Sequence, residues 1–309
     1  MRKKELAIIA GPTAVGKSAV SVALAKSCGG EVISADSMQV YRHMDIGSAK
    51  IKPEEMEGVP HHLIDILDPA DDFNVSIFAD RADRAVKEIA ARGSFPIICG
   101  GTGFYIQALL YGIDFADGET DPAIRKAIEE KTAGLETGAL EERLEKYDPV
   151  SASLYHGNRK RLIRAMEYHE LTGELLSEKN ARERDREPVY EAGYYVLYMP
   201  REILYRRIEE RVDLMMEEGL VDEVKNLIKL GIKRDMTSMQ GLGYRQILDH
   251  LNGVYDLETA VSEIKKQTRH FAKRQMTWFR REKNVKWIDV TGFASPEETA
   301  SYIAGEING

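Results

Sequence analysis

Eight consecutive residues near the start of the chain have the types and spacing that hold phosphate. Gly11, Pro12, Thr13, Ala14, Val15, Gly16, Lys17 and Ser18 follow the pattern G-x-x-x-x-G-K-S. Glycines let the backbone turn tightly and aim its N–H groups at phosphate oxygens. A helix starting there adds partial positive charge, Lys17 adds a full one, and the Ser18 hydroxyl is placed to ligate Mg²⁺. The chemistry indicated is the handling of a di- or triphosphate. The spacing does not say whether that phosphate belongs to ATP.

Two further groups are expected at the same edge. Asp36 ends a second apolar run, Glu31 to Ala35, and Thr102 sits in the glycine-rich stretch Gly100-Gly101-Thr102-Gly103 after a third, Phe95 to Cys99. In open α/β sheets the carboxyl ends of strands are where ligands bind. Asp36 can equally be a helix N-cap and Thr102 a capping threonine. Tyr41 and Met44 are expected to give apolar surface near the site. His61 and His62 are adjacent, so in a strand they point to opposite faces and make a poor metal pair.

The elements that must position these groups are legible from periodicity. Leu6 to Ala10 reads as a buried strand and the residues after Ser18 as an amphipathic helix. Further strands are expected at 95–99, 193–200 and 286–290, with helices over 75–92 and 257–281. From 115 to 188 the pattern is helical and charged, without a strand. The fold expected is α/β: a P-loop NTPase-like core with a parallel sheet flanked by helices, formed by 1–114 and 189–309. An all-helical insertion domain, 115–188, interrupts it.

Composition bounds the function. The 309 residues, 43% hydrophobic and 30% charged, describe an ordinary globular protein, and no apolar run approaches membrane-spanning length. Two cysteines, Cys28 and Cys99, form no C-x-x-C pair, which excludes a zinc ribbon and suits a reducing cytoplasm. The net charge of −8 argues against nucleic acid, but positive charge is concentrated locally. Arg159, Lys160, Arg161 and Arg164 form one basic group. Between Lys265 and Lys283 the sequence carries eight Lys or Arg and a single acid, Glu282. A run this dense repels itself without an anionic partner, so a polyanion is expected there. Two reaction classes remain open on the residues alone. One is a kinase phosphorylating a small acceptor; the other uses the loop to hold a departing pyrophosphate. A non-catalytic RNA-binding module that uses nucleotide as a switch is a third possibility.

Several stretches taken in order resemble the bacterial tRNA dimethylallyltransferases, also called tRNA isopentenyltransferases. They are Gly11–Ser18, Asp36-Ser37-Met38-Gln39-Val40-Tyr41, Met44-Asp45-Ile46-Gly47-Ser48-Ala49-Lys50, His62-Leu63-Ile64-Asp65 and Gly100-Gly101-Thr102-Gly103-Phe104-Tyr105. Arg161-Leu162-Ile163-Arg164-Ala165, Gly243-Tyr244-Arg245-Gln246 and Ala272-Lys273-Arg274-Gln275 complete the series. The resemblance implies transfer of a dimethylallyl group from dimethylallyl diphosphate to N6 of the adenine at tRNA position 37, with diphosphate released and Mg²⁺ assisting. It implies Asp36 as general base and Thr102 as a bond to the base or the diphosphate. Lys17 and Arg211 would lie on the diphosphate, with Arg207 one turn earlier. It further implies tRNA contacts by Asp36, Ser37, Met38, Gln39, Thr102, Arg125, Arg159, Lys160, Arg161, Leu162, Ile163, Gln240, Gly241, Leu242, Gly243, Tyr244, Arg245 and Lys273. The insertion would grip the anticodon stem-loop, and the protein is expected to be a cytoplasmic monomer.

Overall fold

Strand, glycine turn and helix follow one another from the start of the chain, as apolar runs and turn residues require. The computed structural model describes residues 4–113, 122–184 and 186–308. Strand β1 is Leu6–Ala10 and helix α1 Lys17–Cys28; β2 is Gly30–Ser34 and β3 the two-residue His61–His62. They are followed by α2 Val75–Ala91, β4 Phe95–Gly100 and α3 Gly103–Leu110. Five helices come next: α4 Pro122–Thr132, α5 Thr137–Glu145, α6 Pro149–Leu154, α7 Arg159–Thr172 and α8 Leu176–Arg184. The sheet resumes with β5 Ala192–Tyr198, then α9 Arg201–Glu217, α10 Leu220–Lys229, α11 Tyr244–Leu251, α12 Leu257–Phe279, β6 Lys286–Asp289 and α13 Pro296–Asn308.

Among the described residues the six strands form one sheet in the order β3-β2-β4-β1-β5-β6, with every pairing parallel. Both faces of a parallel sheet are covered, so its strands read as continuous apolar runs rather than alternations. All five residues of β1 are buried. Helix α1 stops because Gly29 takes the left-handed conformation (φ 64°) and its N–H bonds the Ala25 carbonyl. Helix α2 starts because the Asn74 side chain accepts the Ile77 N–H, and its inner face is Phe78, Ala82, Ala85, Val86 and Ile89.

The chain divides into two compact units, Met1–Leu110 with Tyr190–Gly309 and Tyr111–Val189. The first holds the sheet around a core that includes Ile9, Leu24, Val32, Ile97, Leu197 and Ile208. The second is helical and has its own core of Ile128, Leu140, Leu144, Ala152, Leu162, Ile163 and Ala165. Asp148 and Asn158 cap α6 and α7 by accepting the Ser151 and Arg161 N–H groups. Asp121, which with Pro122 at the first helical position reads as an N-cap in the sequence, lies outside the described residues. Residues 182–184, whose charged sequence running on to Pro188 reads as a solvated connector, extend α8 instead. The short strand β3 is held at the sheet edge by its parallel pairing with β2 and by side chains at Glu31 of β2. Glu31 takes His62 Nε2 at 2.7 Å and Arg92 Nη2 at 2.5 Å.

Candidate active site

Three adjacent strands, β2, β4 and β1, deliver the expected groups to one edge of the sheet. After β1 the loop turns through Gly11 (φ 147°), Ala14 (φ 65°) and Gly16 (φ 101°) into α1. A Cβ on Gly11 would stand 2.5 Å from the Leu197 carbonyl oxygen of β5, so this position needs glycine for room as well as for conformation. Pro12, Ala14 and Val15 are buried; Lys17 is half-buried, and Ser18 faces out at the first turn of α1. Lys17 Nζ donates to the Pro12 carbonyl at 2.9 Å. Burial pulls the Lys17 ammonium down to about 8, and nearby Arg211 pulls the same way, while the Asp36 carboxylate opposes. Arg211, half-buried on α9, is lowered by burial and then by Arg207, with Glu55 and Asp36 opposing. Arg207 Nη2 lies 4.0 Å from where a Gly16 Cβ would be. Arg211 thus acts electrostatically on Lys17, Asp36 acts on both of these cations, and Arg207 adds a further positive charge near Arg211 and Gly16.

Asp36 follows β2. Its Oδ1 accepts the Met38 N–H at 2.8 Å and more weakly the Gln39 N–H at 3.4 Å, which fixes the carboxylate and leaves Oδ2 for another partner. Both expectations for Asp36, cap and reactive carboxylate, are thus compatible in one side chain. Thr102 stands between β4 and α3, and its N–H bonds the Ala35 carbonyl at 3.4 Å, so it shares the strand end with Asp36. Gly100 packs so tightly on β2 that a Cβ there would come within 2.2 Å of the Ala35 oxygen. Cys99, half-buried at the end of β4, has its thiol pushed up by partial burial, so it stays neutral.

The segment carrying Ser37, Met38 and Gln39 is braced from behind. Gln39 Oε1 accepts from the Ser34 hydroxyl at 3.0 Å, and its Nε2 donates to the Ala49 carbonyl at 3.3 Å. Lys50 is buried and donates to Asp45 and Asp65, each at 2.5 Å, and to the Tyr41 carbonyl at 2.8 Å. Glu223 accepts the N–H groups of Asp45, Ile46 and Gly47 at 2.8–3.1 Å and the Tyr244 hydroxyl at 2.7 Å. Gly47 is where Tyr244 passes: a Cβ would meet its ring at 2.5 Å. Sequence reading missed Glu223, which lies in no quoted stretch, and gave Lys50 no role beyond closing the resembling stretch 44–50. The Gln240–Arg245 segment reaches the Asp36 loop, with Met38 Sδ 2.7 Å from a Cβ built on Gly241. Gln240 is exposed and its Nε2 bonds the Arg234 carbonyl at 2.6 Å; Leu242 and Arg245 are half-buried. A cavity of about 720 Å³ opens beside Ser18 and Arg211 and runs between α1 and α9 past Ile51, Leu214 and Met215.

Several expected contacts are altered by the fold. The Thr13 N–H is taken by Gln275 Oε1 at 2.9 Å, so it is not among the loop's free phosphate donors. The Leu162, Ile163 and Tyr244 side chains are buried and pack the interior rather than facing a partner. Tyr41 and Met44 are likewise core, not site surface. Arg159 donates to the Leu135 carbonyl at 2.7 Å and the Thr132 carbonyl at 2.6 Å, closing the C-terminal end of α4. Lys160 and Arg161 are exposed on α7, with Arg161 over the Tyr155 ring, and Arg125 is exposed on α4 beside Glu129. These four cations belong to the helical unit and not to the sheet unit. The basic run on α12 is partly answered from within: Lys265 pairs with Asp213, Lys266 with Glu263 and Arg269 with Glu209. Lys273 and Arg274 remain exposed, and Phe271 is half-buried under Arg274. His61 bonds the Val59 carbonyl and His62 bonds Glu31; among the described residues no cluster of His, Cys, Asp or Glu fits a metal ion.

Comparison with known proteins decides the family. The model described as IPP transferase matches residues 39–282, and that described as isopentenyl transferase matches 4–71. The chain belongs to the IPP transferase family. Within the family it is 52% identical to a tRNA dimethylallyltransferase of Lachnoclostridium phytofermentans, over 94% of this chain and 93% of that one. It is 49% identical to one from Carboxydothermus hydrogenoformans, over 98% and 97%. Among solved structures, the tRNA isopentenylpyrophosphate transferase of Bacillus halodurans superposes with a TM-score of 0.74 at 44% identity, covering 99% of this chain and 97% of that one. A eukaryotic dimethylallyltransferase acting on tRNA superposes with a TM-score of 0.81 at 29% identity, over 96% and 77%. The P-loop core and parallel sheet of this IPP transferase are therefore those of its relatives.

Proposed function

We propose that this chain transfers a dimethylallyl group from dimethylallyl diphosphate to N6 of the adenine at position 37 of tRNA and releases diphosphate. The observation that carries the reading is the delivery of the Lys17 phosphate loop and the anchored Asp36 carboxylate to one edge of the sheet, with Arg211 acting electrostatically on Lys17. An allylic carbon bonded to diphosphate is electrophilic when the departing charge is stabilised. Lys17, Arg211 and the loop N–H groups other than that of Thr13 are placed to do this. As the N6–C1 bond forms, the C1–O bond breaks and its electron pair leaves with the diphosphate. The N6 proton passes to Asp36, whose Oδ1 is anchored by Met38 and whose Oδ2 is left for it. Thr102, on the same strand end, bonds the adenine or the diphosphate.

The Ser18 hydroxyl fits a divalent cation of the Mg²⁺ type. Such an ion takes one or two protein oxygens and draws the rest from phosphate and water. When bound, it would neutralise charge on the leaving group. The anticodon stem-loop is gripped by the helical unit 111–189, through exposed Lys160, Arg161 and Arg125. It also meets the segment 240–245 and Lys273, with the adenine extruded toward Asp36.

A two-donor assay tests the reading. Protein and unmodified tRNA with adenine at position 37 are given Mg²⁺ and either dimethylallyl diphosphate or ATP, and the digested nucleosides are weighed. Adenosine heavier by one dimethylallyl group, only with the prenyl donor and in step with diphosphate release, is the expected result. Unmodified nucleosides with the prenyl donor would reject it.

A further inference from the structure

Gln275 joins the two glycine-rich turns, and nothing in the reaction as described gives it a part. Its side chain comes from α12, far along the chain from both. Oε1 accepts the Thr13 N–H in the phosphate loop, and Nε2 donates to the Gly101 carbonyl, each at 2.9 Å. Gln275 is 6% exposed. A Cβ on Gly101 would stand 2.2 Å from Nε2, so the bridge exists only because that residue is glycine. The chemistry is specific to an amide. One side of the gap presents a donor and the other an acceptor, and a primary amide satisfies both at once. A carboxylate would face the Gly101 carbonyl with like charge, and an apolar isostere would leave both backbone groups unpaired in a buried place.

We propose that Gln275 is a positioning residue that sets the span between the donor cradle and the acceptor side of the site. Thr13 belongs to the loop that carries Lys17, and Gly101 immediately precedes Thr102. The transferred carbon must cross from one to the other, and a misplacement of about 1 Å costs on the order of a hundredfold in rate. The proposal rests on the prenyl-transfer reading.

The test compares wild type with Gln275→Glu and Gln275→Leu, using unmodified tRNA, dimethylallyl diphosphate and Mg²⁺. Four quantities are read: kcat, the KM for the donor, the Kd for tRNA, and the ratio of diphosphate released to adenosine prenylated. Thermal unfolding confirms that each variant is folded. Wild type should give a ratio near one. Both variants should lose about tenfold or more in kcat while donor KM and tRNA Kd move less than about threefold, because ground-state binding is retained. Their ratio should rise above one, as activated donor is lost to water. A kcat within about twofold of wild type, or a loss shared equally with donor affinity at a ratio still near one, overturns the proposal. If wild type itself prenylates nothing, the prenyl-transfer reading fails, and the bridge is judged by hydrogen exchange alone. Faster exchange of the Thr13 amide in Gln275→Leu then supports it, and unchanged exchange overturns it.

Discussion

The two glycine-rich turns sit side by side, at the ends of the paired strands β1 and β4, and each leads into a helix. Apart from Gly11, which needs both room and conformation, their glycines serve different needs. In the first turn Gly16 is required for conformation: φ is 101° and nothing lies nearer than Arg207 at 4.0 Å. In the second, none of Gly100, Gly101 and Gly103 has a positive φ. They are required for room, because a Cβ on each would come within 2.2 Å of the Ala35 oxygen, Gln275 Nε2 and Trp278 Cδ1 respectively. One turn is shaped to leave space for a ligand; the other is shaped to let neighbouring elements close in. Resemblance in sequence between two such turns therefore says little about which one holds the phosphate. The lysine does.

That division can be broken experimentally. The largest effect is expected from Lys17→Ala, which should lower kcat/KM for the donor by about 10²–10³ in single-turnover assays, the scale of losing a group aimed at developing charge. Thr102→Ala, in the other turn, should cost clearly less; an equal loss would mean that both turns hold the leaving group. Next come the glycines. Gly100→Ala should destabilise by roughly 1–3 kcal/mol through overpacking between β2 and β4, read as a lower denaturation midpoint. Gly16→Ala should cost about 1–2 kcal/mol through backbone strain alone, with the donor KM raised as well. If Gly16→Ala proved the more destabilising of the two, the distinction between room and conformation would fail.

A smaller effect is expected from pH. The Lys17 ammonium is lowered to about 8, first by burial, so the free enzyme loses the charge that attracts diphosphate as pH rises through that value. The profile of kcat/KM for the donor should fall above about 8, and Lys17→Arg, which stays charged, should remove that limb. The sign for stability is the reverse. The unfolded lysine holds its proton up to a higher pH, so this group disfavours folding below about 8 and the penalty fades as pH rises. The smallest change is expected outside both turns. Lys273→Ala, on the exposed side of α12, should weaken tRNA binding severalfold and reduce the salt slope by about one, with kcat at saturation unchanged.

The phosphate loop, Asp36 and Thr102 were legible because each is a local pattern at the end of an apolar run, and parallel strands bring such ends together. What escaped reading is non-local. Gln275 reaches Thr13 across 262 residues of chain, and Glu223 reaches Gly47 across 176. No spacing rule announces either. Burial also separates neighbours that look alike in sequence: Arg161 is exposed while Leu162 and Ile163 beside it are core. The basic run on α12 looked unanswered because its partners Asp213 and Glu209 lie on a different helix, α9. Self-repulsion along one helix left out the acids that a neighbouring helix brings to it.

The order of the strands has a consequence for how the protein is made. β1 is flanked by β4 and by β5, and Leu6 finds its register partner only at Ala192. A ribosome adding about 5–20 residues per second therefore extrudes β1 roughly 10–40 s before β5 exists to cover that side. The helical unit, which has its own core, is complete in the interval. The nascent chain passes through a stage with one finished unit and a half-built sheet whose apolar edge is open. During that stage, before any RNA is met, the protein most needs shielding from its own copies.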